Sequence, residues 1–362
     1  MGLPFDAVDM EWVVHHIRRI VRNRESCFLS APNVNVVVGC RTNSHFRDSV
    51  IHSDLSIADG MPLVWIARLL LDVPIRGRIA GSSLFEALRS NPVERLSVFF
   101  FGGQEGVAEI ACQRLNADAM GLICAGFDFP GFGSFEEMSG DERIAKINAS
   151  GADFLVVSLG VKKGQAWIEH NRARISVPVI SHLGAVVDFV AERVRRAPTW
   201  TQRAGFEWLW RVKEDPGLWR RYLFDGLVFL WLLVARVIPY AWYLRRHTVD
   251  ADQLATARVE ASEDGQNYII RLRGMWTRRN ISPLRGCFSK AVLTEKNVRL
   301  EMGGVTYVDS AFVGLVTLLQ GHQKKHGRQL LMVDVQEPVH LVIKYCCAEY
   351  LMFDDELEKI QQ

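Results

Sequence analysis

Three features of the sequence predict an α/β chain built on a parallel sheet. Apolar runs at residues 95–103, 153–159 and 177–181 end in, or are followed at once by, glycine or a small polar residue, and helical stretches follow, the strand, turn and helix order of a parallel sheet. After Glu192 the composition becomes basic and tryptophan-rich. Beyond residue 266 a second, shorter alternation of strand and helix patterns begins. The expected organisation is a Rossmann-like α/β core over residues 1–192, a basic and apolar helical appendage over 193–249, and a linker with a small α/β domain over 250–362.

With 362 residues, 49% of them hydrophobic and 23% charged, each part can bury a core. The net charge of +2 argues against a dedicated nucleic-acid binder, which carries a strong basic excess. The seven cysteines show neither a C-x-x-C pair nor a Cys/His cluster at ligand spacing. They read as reduced core thiols of a cytosolic protein, and neither a metal nor a cofactor is expected.

At the N-terminus Val13, Val14, Ile17, Ile20 and Val21 recur at helical spacing with Arg18, Arg19 and Arg22 opposite, so a packed surface helix is expected. It has acids before its basic residues and no apolar core of leader length, so the chain reads as not exported. His15 and His16 are adjacent and would face different ways on that helix, which disfavours a metal pair.

Residues 27–40 combine a strand-like run with a Pro32-Asn33 turn, where an α/β fold places ligand contacts. Asn33 and Asn35 are candidates for holding a sugar or ribose hydroxyl, and Asn33 equally suits a helix cap. The stretch 54–84 centres on Asp59-Gly60. An isolated Asp-Gly is first of all a turn, but here an apolar helical run at 62–71, then Arg76, Arg78 and Gly81-Ser82-Ser83, follow it. That order of acid, base and small residues suits an anionic ligand such as a sugar nucleotide.

The run 95–103 closes on Gly102-Gly103, leaving the next helix free to point its N-terminus at a phosphate. The full dinucleotide fingerprint is missing, which disfavours a nicotinamide enzyme. A strand at 122–126 leads to the aromatic and glycine-rich loop 127–133, of the kind that stacks on a base. After 153–159 come Gly160, Lys162, Lys163, Gly164 and Gln165, a candidate diphosphate cradle, and after 177–181 comes His182.

Residues 193–221 carry eight basic side chains against three acidic ones, and Trp200, Trp208, Trp210, Trp219 and Trp231 fall in or just beyond them. Arginine and tryptophan together suit an anionic membrane surface. The apolar run 227–235 is too short to span, since about 20 residues are needed. A longer span over 220–247 would have to accommodate Asp225, Arg236 and Pro239. An in-plane or re-entrant anchor is the favoured reading, and a helix buried against the core or a dimer partner is the other.

Residues 250–266 are polar and acid-rich, as in a linker. Strands are expected at 268–272, 297–302 and 329–335, with helices at 282–294, 311–323 and 338–347.

In order and spacing, Ala31-Pro32-Asn33, Ala58-Asp59-Gly60, Arg78-Ile79-Ala80-Gly81-Ser82, Leu159-Gly160, Gly184-Ala185, Arg196-Ala197-Pro198-Thr199-Trp200 and Glu207-Trp208-Leu209-Trp210-Arg211 resemble the WecG/TagA/CpsF glycosyltransferases over residues 27–222. The resemblance implies an inverting, metal-independent transfer from a UDP-sugar to a polyprenyl-diphosphate-linked acceptor. The site would be peripheral at the inner face of the cell membrane, in exopolysaccharide or other surface-glycan assembly. Asp59 would be the general base and Asn33 would sit in the sugar site. Arg78, with Arg211, Arg220 or Arg221, would offset charge on the leaving diphosphate. Gly81, Gly102, Gly103, Gly160, Lys163, Gln165 and Arg196 complete the candidate substrate-binding set. The sequence departs from the family pattern at Ala31, where threonine is usual, in the loop Gly160-Val161-Lys162-Lys163-Gly164-Gln165, where the G-x-P-K-Q-E pattern loses its glutamine and Gln165 stands next to that position, and at Glu192, where glycine is usual.

The segment Asp309-Ser310-Ala311-Phe312-Val313-Gly314-Leu315 resembles the signature of STAS domains. In phospho-regulated members the serine is the target of a partner kinase, which makes Ser310 and Asp309 regulatory candidates and implies a protein partner. The simpler reading is that either residue only caps the following helix. The leading function is thus a membrane-surface glycosyltransferase with a regulatory or docking STAS module. The alternative is a non-catalytic sensor or scaffold that binds a nucleotide sugar, and turnover discriminates the two. Homo-oligomerisation is compatible with either.

Overall fold

The computed structural model describes residues 1–70, 77–92, 94–118, 120–194, 197–198, 200–201, 205–247 and 249–352. It divides into two compact units, Phe5–Val228 and a second made of Met1–Pro4 with Phe229–Gln362. The division falls inside the helix Trp219–Leu232.

In the first unit, β1 (Cys27–Ser30), β2 (Leu55–Ser56), β3 (Leu96–Gly102), β4 (Leu122–Asp128), β5 (Phe154–Ser158) and β6 (Val179–His182) form one sheet in the order β2-β1-β6-β5-β3-β4, with every pairing parallel. Helices cover both faces, so the strands carry unbroken apolar runs. On β3, Val98 and Phe100 enter one core with Leu29, Leu84, Leu115 and Val156. Phe99 and Phe101 enter the other with Phe28, Leu155, Val157 and Trp167. The N-terminal helix Met10–Asn23, capped by Asp9, buries Val13, Ile17 and Ile20 at the expected spacing.

One expectation is corrected in this unit. Cys112 and Cys124 are joined by a disulfide that ties the helix Val107–Asp118 to β4, the sheet's edge strand. The helix returns along the strand and brings the two Cα atoms to 5.1 Å, a proximity that no short-range motif announces. Cys27, Cys40, Cys346 and Cys347 are free and buried, as read from the sequence, and Cys287 is free and half-buried.

The second unit is a four-stranded sheet in the order β10-β9-β8-β7, from β7 (Arg258–Asp264), β8 (Asn267–Trp276), β9 (Asn297–Val308) and β10 (Leu330–Val333). It packs with helices Ser282–Leu293, Ser310–Lys325 and Glu337–Tyr345. Only β7 runs antiparallel, turning into β8 through Gly265 at φ 49°. The stretch read as a linker therefore contains a strand, and also the helix Ala251–Ala255. β7 is an exposed, charged edge strand and lacks the apolar alternation that marks the others.

Between the two sheets in sequence, Pro216–Arg246 is long and apolar enough to cross a membrane by length and composition. Within it Leu233–Val237 forms a π turn, followed by Ile238–Arg246. Pro239 has no amide hydrogen to give and its ring crowds the preceding turn, so the helix widens there and continues.

Candidate active site

The carboxyl ends of all six parallel strands lie along one edge of the first sheet, where open α/β sheets bind ligands. Asp59 follows β2 there. Backbone bonds continue past the end of the strand: Ile57 N donates to Ser30 O at 2.9 Å, Asp59 N to Pro32 O at 3.0 Å, and Ile79 N to Ala58 O at 3.1 Å. The last of these brings the segment 78–82 alongside Asp59.

Arg78 Nε donates to Asp59 Oδ1 at 3.2 Å, and its Nη2 donates to Glu207 Oε2 at 2.5 Å. Glu207 opens the helix Glu207–Glu214, where a carboxylate complements the helix dipole, and its Oε1 accepts from Arg211 Nη2 at 3.4 Å. The Arg211 guanidinium lies over the Phe189 ring, 5.6 Å from its centre. The result is a chain of alternating charge, Asp59, Arg78, Glu207, Arg211. Side-chain exposures are 24% for Asp59, 15% for Arg78 and 13% for Glu207, so the network is largely shielded from water.

Burial pushes the Asp59 carboxyl above the usual carboxylate range, Glu207 pushes it the same way, and Arg78 only partly opposes them. Burial would also raise Glu207, but Arg78 and Arg211 outweigh it and hold Glu207 low. Two neighbouring carboxyls are thus driven apart in acidity. Asp188, close to Arg211, is raised by burial against the pull of Arg193 and Arg211.

Other candidates fall along the same edge with different partners. Asn33 caps the helix Val34–Thr42, accepting from Val36 N at 3.2 Å. Asn35 donates to Asp225 at 2.9 Å. Gly102 and Gly103 take φ of 97° and 90° at the end of β3, and a Cβ on Gly102 would stand 2.8 Å from Ser158 O. Gly81 lets its helix approach Leu183, whose Cδ2 would be 2.4 Å from an added Cβ. Gly160 starts the helix Val161–Asn171, and Lys163 Nζ reaches Gly133 O at 3.2 Å, joining this turn to the aromatic loop. Phe132 in that loop is 85% exposed.

Three candidates stand apart from the network. Gln165 is buried and turned to Ser30 at 3.3 Å, so its amide belongs to the core side of its helix. Arg220 and Arg221 lie over Trp219 and Tyr222 on the apolar helix, outside the ion pairs of Asp59. Arg196, like Arg76, lies outside the described residues. Glu207 was visible as part of a motif, but its role as the link between Arg78 and Arg211 was not. A cleft of about 500 Å³ opens between the helices Gly81–Arg89 and Val186–Val190, with Ser82, Phe85 and Phe189 in its walls. Asp59 does not line it; Phe189, beneath Arg211, connects the two.

The family model described as the glycosyl transferase WecG/TagA/CpsF family matches residues 1–241, more than half of the 362. The chain is a glycosyl transferase of this family. It is 28% identical over 222 residues to the N-acetylglucosaminyldiphosphoundecaprenol N-acetyl-beta-D-mannosaminyltransferase of Bacillus spizizenii, covering 60% of this chain and 84% of that protein. The enzyme of the same name from Staphylococcus aureus is 23% identical over 224 residues, 61% of this chain and 85% of the relative. The model described as "Mlab, STAS domain" matches residues 259–346 of this WecG/TagA/CpsF transferase. The Bacillus cell fate determinant SpoIIAA, solved in its phosphorylated form, aligns with 29% of this chain and 97% of its own at 17% identity, with a TM-score of 0.24.

In the STAS-like unit Asp309 is the helix cap: its Oδ1 accepts from Ala311 N and Phe312 N, both at 3.0 Å, and its Oδ2 accepts from Arg278 N at 2.8 Å. Ser310 opens that helix half-buried. The Tyr240 hydroxyl is buried beside it without reaching hydrogen-bond geometry.

Proposed function

We propose that the enzyme transfers a sugar from a UDP-sugar to a polyprenyl-diphosphate-linked acceptor at the inner membrane surface, with inversion, in cell-surface glycan assembly. The observation that carries this is the Asp59–Arg78–Glu207–Arg211 chain at the carboxyl edge of the parallel sheet. A carboxylate of raised pKa is a stronger base than an ordinary one, so Asp59 is suited to take the proton of the acceptor hydroxyl. The acceptor oxygen then bonds to the anomeric carbon as the bond to the nucleoside diphosphate breaks on the opposite face. Arg78 and Arg211 offset the charge that collects on the departing diphosphate, and Glu207 fixes both guanidiniums. The relatives' names, which specify an undecaprenyl-diphosphate-linked acceptor and a mannosaminyl group, support this acceptor class.

The STAS-like unit is read as a regulatory or docking module, with the Ser310 end of its helix as the point of control. The test of the enzymatic reading is UDP release by the full chain, given a panel of UDP-sugars and a polyprenyl-diphosphate-linked N-acetylglucosamine acceptor. Release that needs both substrates supports it. Donor binding without turnover across the panel would favour the scaffold reading.

A further inference from the structure

The helical segment within the second unit has two unlike faces. Its inner face is fastened to the STAS-like unit: Arg236 Nη2 pairs with Glu349 at 2.7 Å and its Nη1 donates to Lys344 O at 3.0 Å. Tyr240 packs its ring on Tyr345, and Tyr243 stacks on Tyr307 within 5° of parallel. The outer face presents Leu230, Val234, Ile238 and Trp242, each between 56% and 59% exposed. These four recur every four residues, and the π turn at Leu233–Val237 offsets part of the drift that such spacing gives on a regular α-helix.

We propose that this face lies sideways on an anionic bilayer, while Arg236 and the tyrosines hold the opposite face to the STAS-like unit, so the segment does not cross the membrane. This deepens the membrane-surface part of the function proposed above and rests on it. Crossing would place Arg236 in hydrocarbon or strip it of Glu349 and the Lys344 carbonyl, whereas lying in plane keeps both contacts. The rim fits lipid rather than a second protein. Trp242 sits under the Arg246 guanidinium, 3.4 Å from ring centre to Cζ, with Arg245 exposed beside it, an indole and cation pairing suited to anionic headgroups.

The test is sedimentation of the full chain with vesicles of phosphatidylcholine, with and without phosphatidylglycerol, followed by an alkaline carbonate wash. The expected result is binding that is stronger on anionic vesicles and reversed by the wash. Val234→Glu, at an outward position, should cut the bound fraction on the order of tenfold. Arg245→Glu with Arg246→Glu should lower binding only where phosphatidylglycerol is present. Retention through the carbonate wash would show a spanning helix and overturn the proposal. So would wild-type binding by Val234→Glu, or a dimer that this substitution splits with no vesicle binding. UDP release on a short-chain, vesicle-free acceptor, expected unchanged in Val234→Glu, tests the transferase reading separately.

Discussion

Glu207 accepts a hydrogen bond from Arg78 at 2.5 Å across 129 positions of sequence, and through it the acid after β2 is coupled to the helix that carries Arg211. Nothing local links these residues. Their meeting gives the first unit a charge network at the edge of the sheet, and its consequences can be measured.

Glu207 should add to burial in placing the acid limb of activity. Asp59 must be ionised to act as a base, so the rate falls as pH drops through its raised pKa. Glu207→Gln removes a negative neighbour, which lowers the Asp59 pKa and moves that limb to lower pH. It also frees Arg78, and the plateau of kcat/KM should fall on the order of tenfold. A pH profile of kcat/KM for both proteins is the check; an unmoved acid limb would show that Glu207 does not act on Asp59.

The two glycine turns should respond differently to alanine. Gly102 has φ 97° and no room for a Cβ, so Gly102→Ala should cost about 2 kcal/mol or more. Gly160 has an ordinary φ of −55° and nothing within 4 Å of an added Cβ, so Gly160→Ala should stay within about 0.5 kcal/mol. Denaturant melts of the two variants decide this, and equal losses would contradict it.

Most of the strands and the acid-then-arginine motif were legible because they are local, whereas the two-residue β2 is too short to leave a pattern. Phe99, Phe100 and Phe101 form a run that only a doubly covered strand tolerates. Asp59 and Arg78 sit 19 residues apart and meet through the backbone bond from Ile79 to Ala58. What escaped depends on long-range placement or on weak local signal. Glu207 needed a partner far away, Gln165 showed its buried side only once its helix was placed, and β7 is too charged to look like a strand. The Asn33 turn carried two readings, and its side chain does cap the helix.

The Cys112–Cys124 bond should stabilise the edge of the first sheet. Cross-linking residues 12 apart is worth about 3 kcal/mol, chiefly by restricting the unfolded chain. Reduction, or Cys112→Ser, should therefore lower the melting temperature by several degrees. Peptide mapping without reductant checks the bond itself; an unchanged melt on reduction would contradict the expectation.

The most direct test of the account is Asp59→Asn, which keeps the shape of the side chain and removes its basicity. Donor affinity, read by calorimetry with UDP, should hold within a few-fold, while UDP release with donor and acceptor should fall by roughly 10²–10⁴. Turnover by Asp59→Asn at the wild-type rate would contradict the assignment of Asp59 as the base.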